Sequence, residues 1–368
     1  MNVKKLLILK IIFYYFKILF IILTINPYHF LTPFYLSLYQ SIKNLEIKIQ
    51  IYRIKKYYDL CNKGILINKK IFKISKNPKI SIVSTVYNNE KFIQRFLRSI
   101  QNQFFDDIEI ILIDDHSKDN SVKIINDCQK EDKRILLIKQ KFNKGTLISR
   151  NIGVLKSKGD YIIIPDSDDI LSNDILKKSY ITAKRKKCEL IRFNFYFKNH
   201  IDINNKIFNI HNNPIYKPKL NNFIFYGFGY LRLHDFNICN KFIKRELFIR
   251  TLNNINIFYL NQYMIYFEDG FINYALNRNA NSLYLLNNLG YFYINNKQSS
   301  TNTVNKNLEL KCFLLYLKYI FDNSKNNPYE KKIPLYFLKM YINNQNNQTK
   351  YLKYLNNYLE KYKIKIFY

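Results

Sequence analysis

The feature that most narrows the possible folds lies between residues 80 and 190, where four short β-branched runs alternate with segments of helical length. The runs are 80–85, 108–113, 135–138 and 161–164, and the segments between and after them are 90–102, 119–130, 146–158 and 172–187. Runs of four to six apolar residues, bounded by polar turns and followed by longer periodic stretches, read as strands and helices of a βαβ series. The third helix is expected to close at Gly159, and the fourth to open at Ser172 with Asp174 in its first turn. Strands that are apolar on both faces need helices on both sides, which predicts an α/β domain built on a mainly parallel sheet. Ligands of such sheets bind at the carboxyl ends of the strands, so the chemistry is sought there.

Three of those ends carry polar clusters: Ser84-Thr85-Val86-Tyr87-Asn88-Asn89 after the first run, Asp114-Asp115-His116-Ser117 after the second, and Pro165-Asp166-Ser167-Asp168-Asp169 after the fourth. Any one of them could be a turn or a helix cap. The last places three carboxylates within four residues beyond a buried strand, where mutual repulsion raises their pKa values and a cation would neutralise them. Hard oxygen ligands suit Mg²⁺ or Mn²⁺. The competing reading is an acidic cap on the helix that begins near Ser172.

Composition bears on partners. The chain of 368 residues has 59 basic and 27 acidic side chains, a formal charge of +32. The lysines are dispersed instead of forming one stripe, and Lys, Asn, Ile, Tyr and Phe are enriched together, so nucleic acid is not the expected partner. Five cysteines, at 61, 128, 188, 239 and 312, are too widely spaced for a zinc site or a disulfide framework. His116, His200, His211 and His234 show no ligand spacing and read as loop or surface residues.

The N-terminal run 6–25 (LLILKIIFYYFKILFIILTI) is long enough as a helix to cross a hydrocarbon core of about 30 Å, although Lys10 and Lys17 oppose insertion. Lys4 and Lys5 precede it and no basic residue follows before Lys43, which orients the N-terminus toward the cytoplasm. The expected organisation is an anchor at 1–25, a stem at 26–78, a domain at 79–304 divided near 190, and a helical C-terminal extension at 305–368. The expectation is a single-pass membrane protein, residing in the Golgi or endoplasmic reticulum if eukaryotic, with an interfacial helix and a cleaved signal peptide as the alternatives for 6–25.

Four segments, SIVSTVYNNEKFIQRFLRSIQNQ, IEIILIDDHSKDNS, NKGTLISRNIGV and GDYIIIPDSDD, together resemble the family 2 glycosyltransferases in order and spacing. The resemblance implies a GT-A fold, with a Rossmann-like sheet, and a nucleotide-sugar donor across the strand ends. By matching position it implies that Thr85 and Tyr87 line the base pocket, and that Asp115, with Asp114, hydrogen-bonds the base or ribose. Lys144 and Arg150 look like the basic residues near the donor phosphates. Asp166 and Asp168 match the metal-binding Asp-X-Asp, with Asp166 also near the donor.

Farther along, 239–248 and 266–270 resemble the acceptor side, where an acid of the second stretch serves as general base: Asp269, or its neighbour Glu268. Two positions depart from the pattern, Cys239 where an aromatic is usual and Ile294 where a basic residue is common. The implied activity is inverting transfer, from a UDP-sugar by preference, to a glycan or lipid-linked acceptor. Two other readings remain at this point: a sugar nucleotidyltransferase, whose Gly-rich phosphate loop is missing from SIVSTVYNNE, and a non-catalytic membrane-bound sugar- or lipid-binding protein on the same scaffold.

Overall fold

The computed structural model describes residues 74–197, 237–294 and 305–323, with 56–65 and a few single positions besides. The anchor expected at 6–25, most of the stem, His200, His211, His234 and the chain beyond 323 lie outside the described residues. Among the described residues no helix is long and apolar enough to cross a membrane. Two compact units divide at Asn62/Lys63; in the first, residues 56–62 are helical, and every element named below belongs to the second.

The predicted series is present: β1 Ile80–Val86, α1 Ile93–Gln101, β2 Ile108–Asp114, α2 Ser121–Glu131, β3 Ile135–Lys139, α3 Thr146–Lys156 and β4 Tyr161–Ile163. Then follow β5 Ile170–Leu171, α4 Ile175–Lys186, β6 Leu190–Phe197, β7 Lys241–Lys244, α5 Arg245–Asn254, α6 Ile257–Leu260, α7 Glu268–Asn279, β8 Leu283–Tyr293 and α8 Lys306–Asn323. The eight strands form one sheet in the order β3-β2-β1-β4-β7-β6-β8-β5.

Alternation along the strands sends successive side chains to opposite faces. Ile80, Ile82, Ile110 and Leu112 pack with Phe96 and Leu97 of α1, Ile125 of α2 and Ile175 of α4. Val83, Ile111 and Ile113 pack on the other face with Leu147 and Val154 of α3, Leu247 of α5 and Phe271 of α7. Each such Ile or Leu contributes about 1.5–3 kcal/mol by leaving water. The C-terminal helix α8 joins this second layer through Cys312, Phe313, Tyr316 and Tyr319.

The expected mainly parallel sheet is mixed, with β7 and β5 reversed against the other six strands. β3-β2-β1-β4 is parallel, whereas β7 runs antiparallel to both β4 and β6, β8 is parallel to β6, and β5 is antiparallel to β8. The sheet is mixed because its second half is not built from βαβ units: β7 runs directly into α5, and β5 is a two-residue strand. Two boundaries also differ. α3 ends at Lys156 with Ser157 extended, not at Gly159. Gly159 instead lies so close to β1 that an added Cβ would stand 2.6 Å from the Ser81 nitrogen, and its N–H donates to Ser81 Oγ (2.8 Å). Because β5 intervenes after Asp169 and α4 starts behind Asp174, the 166–169 acids do not cap that helix.

Candidate active site

The carboxyl ends of β1, β2 and β4 adjoin as the register requires: Val86 pairs with Asp114, and the Asp115 N–H donates to Val86 O (2.8 Å). This edge is tied together by polar side chains. Ser84 Oγ donates to Pro165 O (2.7 Å), Asn89 Nδ2 to Ser167 Oγ (2.7 Å), and an Arg95 guanidinium nitrogen to the Asp168 carbonyl. Asn88 Oδ1 accepts from Lys118 N (2.8 Å), which fixes the turns after β1 and β2 against each other.

Two groups of side chains stand on this edge. In the first, Tyr87 is 53% exposed directly beyond β1, with Thr85 half-buried one step behind it. The buried Asp115 carboxylate accepts from Lys144 N (2.8 Å), Gly145 N (2.9 Å) and Gln140 Nε2 (2.8 Å). The Ser149 hydroxyl also bears on this carboxylate and favours its charged form. Burial raises the Asp115 pKa against the lowering effect of the two backbone donors. Asp114 accepts from Ser117 N (3.3 Å). Lys144 places its ammonium 5.1 Å from the centre of the Phe142 ring.

Gly145 is required where it stands. Its φ of +83° is a conformation that side-chain-bearing residues rarely adopt, and an added Cβ would lie 3.2 Å from both Met264 O and Tyr263 Cδ2. It opens α3, which carries Arg150 about one and a half turns onward.

Arg150 organises the second group. Its Nη2 donates to Asp166 Oδ1 (2.8 Å) and its Nη1 to Glu268 Oε1 (3.2 Å) and Asp269 Oδ1. The Arg150 side chain is 7% exposed, against 33% for Asp166, 11% for Glu268 and 21% for Asp269. Burial works to lower the pKa of Arg150, but Asp269, Asp166 and Glu268 together raise it. Burial raises the Asp166 pKa to about 6 and that of Glu268 to about 8, in each case with Arg150 pulling the other way and Asp269 adding repulsion.

One guanidinium thus faces three carboxylates, and Asp168 and Asp169 lie just beyond. Asp168 Oδ2 accepts from Asn296 Nδ2 (3.0 Å), and burial raises its pKa. Asp169 is buried, with Oδ2 taking the Tyr291 hydroxyl (2.5 Å) and Oδ1 the Ile294 N–H (2.7 Å). Tyr291 also accepts from Asp166 N (3.1 Å). Asp169 is therefore a structural clamp between the 166–169 loop and β8. Cys239 is buried beside these acids; burial, followed by Asp166, Asp269 and Asp169, holds its thiol well above the usual range.

Among the described residues no group of three or more His, Cys, Asp or Glu side chains could by itself hold a metal ion. A Mg²⁺-type ion needs only one or two carboxylates when substrate phosphates supply the remaining oxygens, so Asp166 and Asp168 fit that smaller role. The excess of carboxylate over cationic charge around Arg150 favours a further cation.

The start of α7, where Glu268 and Asp269 sit, is set by Phe267, whose φ of +60° is unusual for an aromatic residue. Its ring lies 5.1 Å from Phe313 and 6.4 Å from Tyr316 of α8. α8 thus packs on the residue that opens the helix bearing Glu268 and Asp269. All ten candidate side chains lie on one edge, in two groups joined by α3. Arg95, Gln140, Tyr291 and Asn296 escaped notice because nothing local marks one arginine, glutamine, tyrosine or asparagine in a chain with 32 tyrosines and abundant asparagine.

Residues 81–252 match the family described as Glycosyl transferase family 2. An uncharacterised glycosyltransferase of Haemophilus influenzae is 41% identical over 124 residues, covering 34% of this chain and 44% of the relative. The glycosyltransferase GlyG of Streptococcus pneumoniae is 34% identical over 117 residues, 32% of this chain and 39% of the relative. The chain therefore spans less than half the length of these curated relatives. Among solved structures, residues 1–349 of S. aureus TarS in complex with UDP-GlcNAc superpose with a TM-score of 0.59 at 17% identity, covering 77% of this chain and 81% of that one. That likeness extends the agreement to a GT-A-like fold, beyond the segment matched in sequence. Residues 81–252, from β1 into α5, thus carry the sequence pattern of glycosyl transferase family 2, on a GT-A-like fold that continues past them.

Proposed function

We propose that the protein transfers a sugar from a nucleoside diphosphate donor, by preference a UDP-sugar, to a hydroxyl of a glycan or lipid-linked acceptor, with inversion at the anomeric carbon. The observation that carries this reading is the convergence of Asp166, Glu268 and Asp269 on Arg150, which brings the donor-side and acceptor-side acids to one point. The base stacks on Tyr87, Asp115 and Asp114 take the base or ribose, and Lys144 and Arg150 offset diphosphate charge. Asp166 and Asp168 hold Mg²⁺ or Mn²⁺, which when bound stabilises negative charge on the departing diphosphate. The acceptor hydroxyl loses its proton to Asp269 as its oxygen bonds the anomeric carbon and the bond to the diphosphate breaks on the opposite face. Glu268 is less suited to that role at neutral pH, since burial pushes its pKa to about 8 and leaves it largely protonated.

Purified protein given UDP-, GDP- and dTDP-sugars with Mn²⁺ is expected to transfer or slowly hydrolyse one of them. Asp168→Asn should abolish this almost entirely, because an amide cannot neutralise a cation as a carboxylate does. Full turnover in excess EDTA would remove the metal from the scheme, and no turnover of any donor would remove the enzyme reading.

The membrane-anchor reading of 6–25 rests on the sequence. It is checked by carbonate extraction: the full-length chain should stay with membranes, and a chain starting near residue 40 should be released. Release of both would leave 6–25 as an interfacial segment at most.

A further inference from the structure

The loop at 261–267, between α6 and α7, comes up against the start of α3. Leu147 N–H donates to Met264 O (3.2 Å), and the Tyr263 ring packs on Gly145, whose own N–H is bound by Asp115. On the other side Cys312 Sγ of α8 lies 3.9 Å from Tyr263 O, and the Tyr266 hydroxyl accepts from Asn305 N (3.0 Å). The loop is thereby held from two directions, yet Tyr263 keeps 37% of its surface in solvent. A residue serving only to fill space against Gly145 would be covered.

We propose that Tyr263 is a second aromatic wall of the donor-nucleotide pocket, standing across Asp115 from Tyr87. Asp115 links the two tyrosines. Its N–H is bonded to Val86 O, next to Tyr87, and its carboxylate to the Gly145 N–H, on which Tyr263 packs. Both rings are partly exposed, and the buried carboxylate is bonded at both of its oxygens. The proximity also has an electrostatic trace: after burial, Asp115 and then Tyr87 are the largest causes raising the Tyr263 pKa. A planar base fits this arrangement, with its edge on the carboxylate and its faces toward aromatic rings. Stacking of that kind is tolerant of base identity, because every base has a π-face. Tyr263 lies five residues before Glu268, on the loop that leads into α7, so a nucleotide that fills the pocket also steadies the segment leading to the acids.

The inference rests on the donor-binding reading above, and its test separates the two. UDP and inorganic pyrophosphate binding are measured by calorimetry on the full chain with Mn²⁺, for wild type, Tyr263→Phe, Tyr263→Leu, Tyr263→Ala and Tyr87→Ala, with each variant's melting temperature recorded. Tyr263→Phe should bind UDP within about twofold of wild type. Tyr263→Leu keeps an apolar contact with Gly145 but no ring, and should weaken UDP about tenfold while leaving pyrophosphate unchanged, within the range expected for losing one stacked ring. A folded Tyr263→Leu or Tyr263→Ala that binds UDP like wild type overturns the proposal, and so does an equal loss for UDP and pyrophosphate, which would mean a displaced loop. If Tyr87→Ala loses UDP while the Tyr263 variants do not, this inference alone fails. If the wild-type chain binds neither UDP, GDP nor dTDP, the donor-binding reading fails with it.

Discussion

Asp269→Asn should lower the rate of sugar transfer by about a hundredfold or more while leaving nucleotide affinity within about twofold of wild type, because the change removes basicity and keeps shape. The site supplies the reasoning. Asp269 Oδ1 accepts from Arg150 and its Oδ2 from Ile238 N (3.2 Å), so an asparagine could keep one of these bonds but could not take up a proton. Glu268 is the internal control. Burial raises its pKa to about 8, so at pH 7 it is already largely a neutral acid, and Glu268→Gln copies that state. The glutamine variant should therefore retain a substantial fraction of transfer at pH 7. The measurement is initial rate of transfer and UDP affinity for both variants. Near-wild-type transfer by Asp269→Asn would refute the assignment, and loss confined to Glu268→Gln would move the base to Glu268.

The parallel half of the fold could be read directly because its signals are local. In β1 to β4 every strand is a short apolar run, buried on both faces in β1, β2 and β4 and only partly in the edge strand β3, and the expected limits fall within about three residues of those found. The second half escaped for physical reasons. β5 has two residues, too few for any period, and is a strand only because Ile170 and Leu171 pair with β8. β8 contains Asn287, Asn288 and Gly290, which read as a turn. It remains a strand because the register shifts around Asn194 of β6 absorb the irregularity, and because Gly290 admits Ile175 and Phe193 where a Cβ would meet them at 2.4 Å and 2.6 Å.

The site divides in the same way. Clusters that follow a strand, such as Asp114-Asp115 and Asp166–Asp169, announced themselves by position. What they bond to did not, since those partners come from 25 to 128 residues away: Gln140 on Asp115, Tyr291 on Asp169, Asn296 on Asp168. Arg150 was singled out for the donor phosphates, but its pairing with Glu268 and Asp269, 118 and 119 residues on, depends on α3 and α7 packing against the same face.

Replacing Arg150 with methionine should both abolish transfer and make stability strongly dependent on pH. Methionine keeps much of the length of the side chain but leaves Asp166, Glu268 and Asp269 without their shared cation. Removing one partner from a buried ion pair costs on the order of 3–5 kcal/mol when the other must stay charged. Here the carboxylates have an escape, which is to take up protons. Asp166 and Glu268 already have folded-state pKa values of about 6 and about 8, above their ordinary 3.8 and 4.5, even with Arg150 pulling them down. A group raised in this way binds its proton more tightly in the folded state. Its contribution to stability is fully present below the unfolded pKa, near 4, and is lost as pH rises through the folded value. For wild type these two groups therefore favour folding most at about pH 4 and give that up progressively toward pH 8. Without Arg150 both folded pKa values rise further, so the loss runs on to higher pH and becomes larger. Urea unfolding of the two proteins should show a difference of about 3 kcal/mol or more at pH 8, shrinking markedly by pH 5.5, where the acids are neutral in the variant. A stability difference that stays constant between pH 5.5 and 8 would mean that Arg150 acts through packing alone and that the three carboxylates do not share its charge.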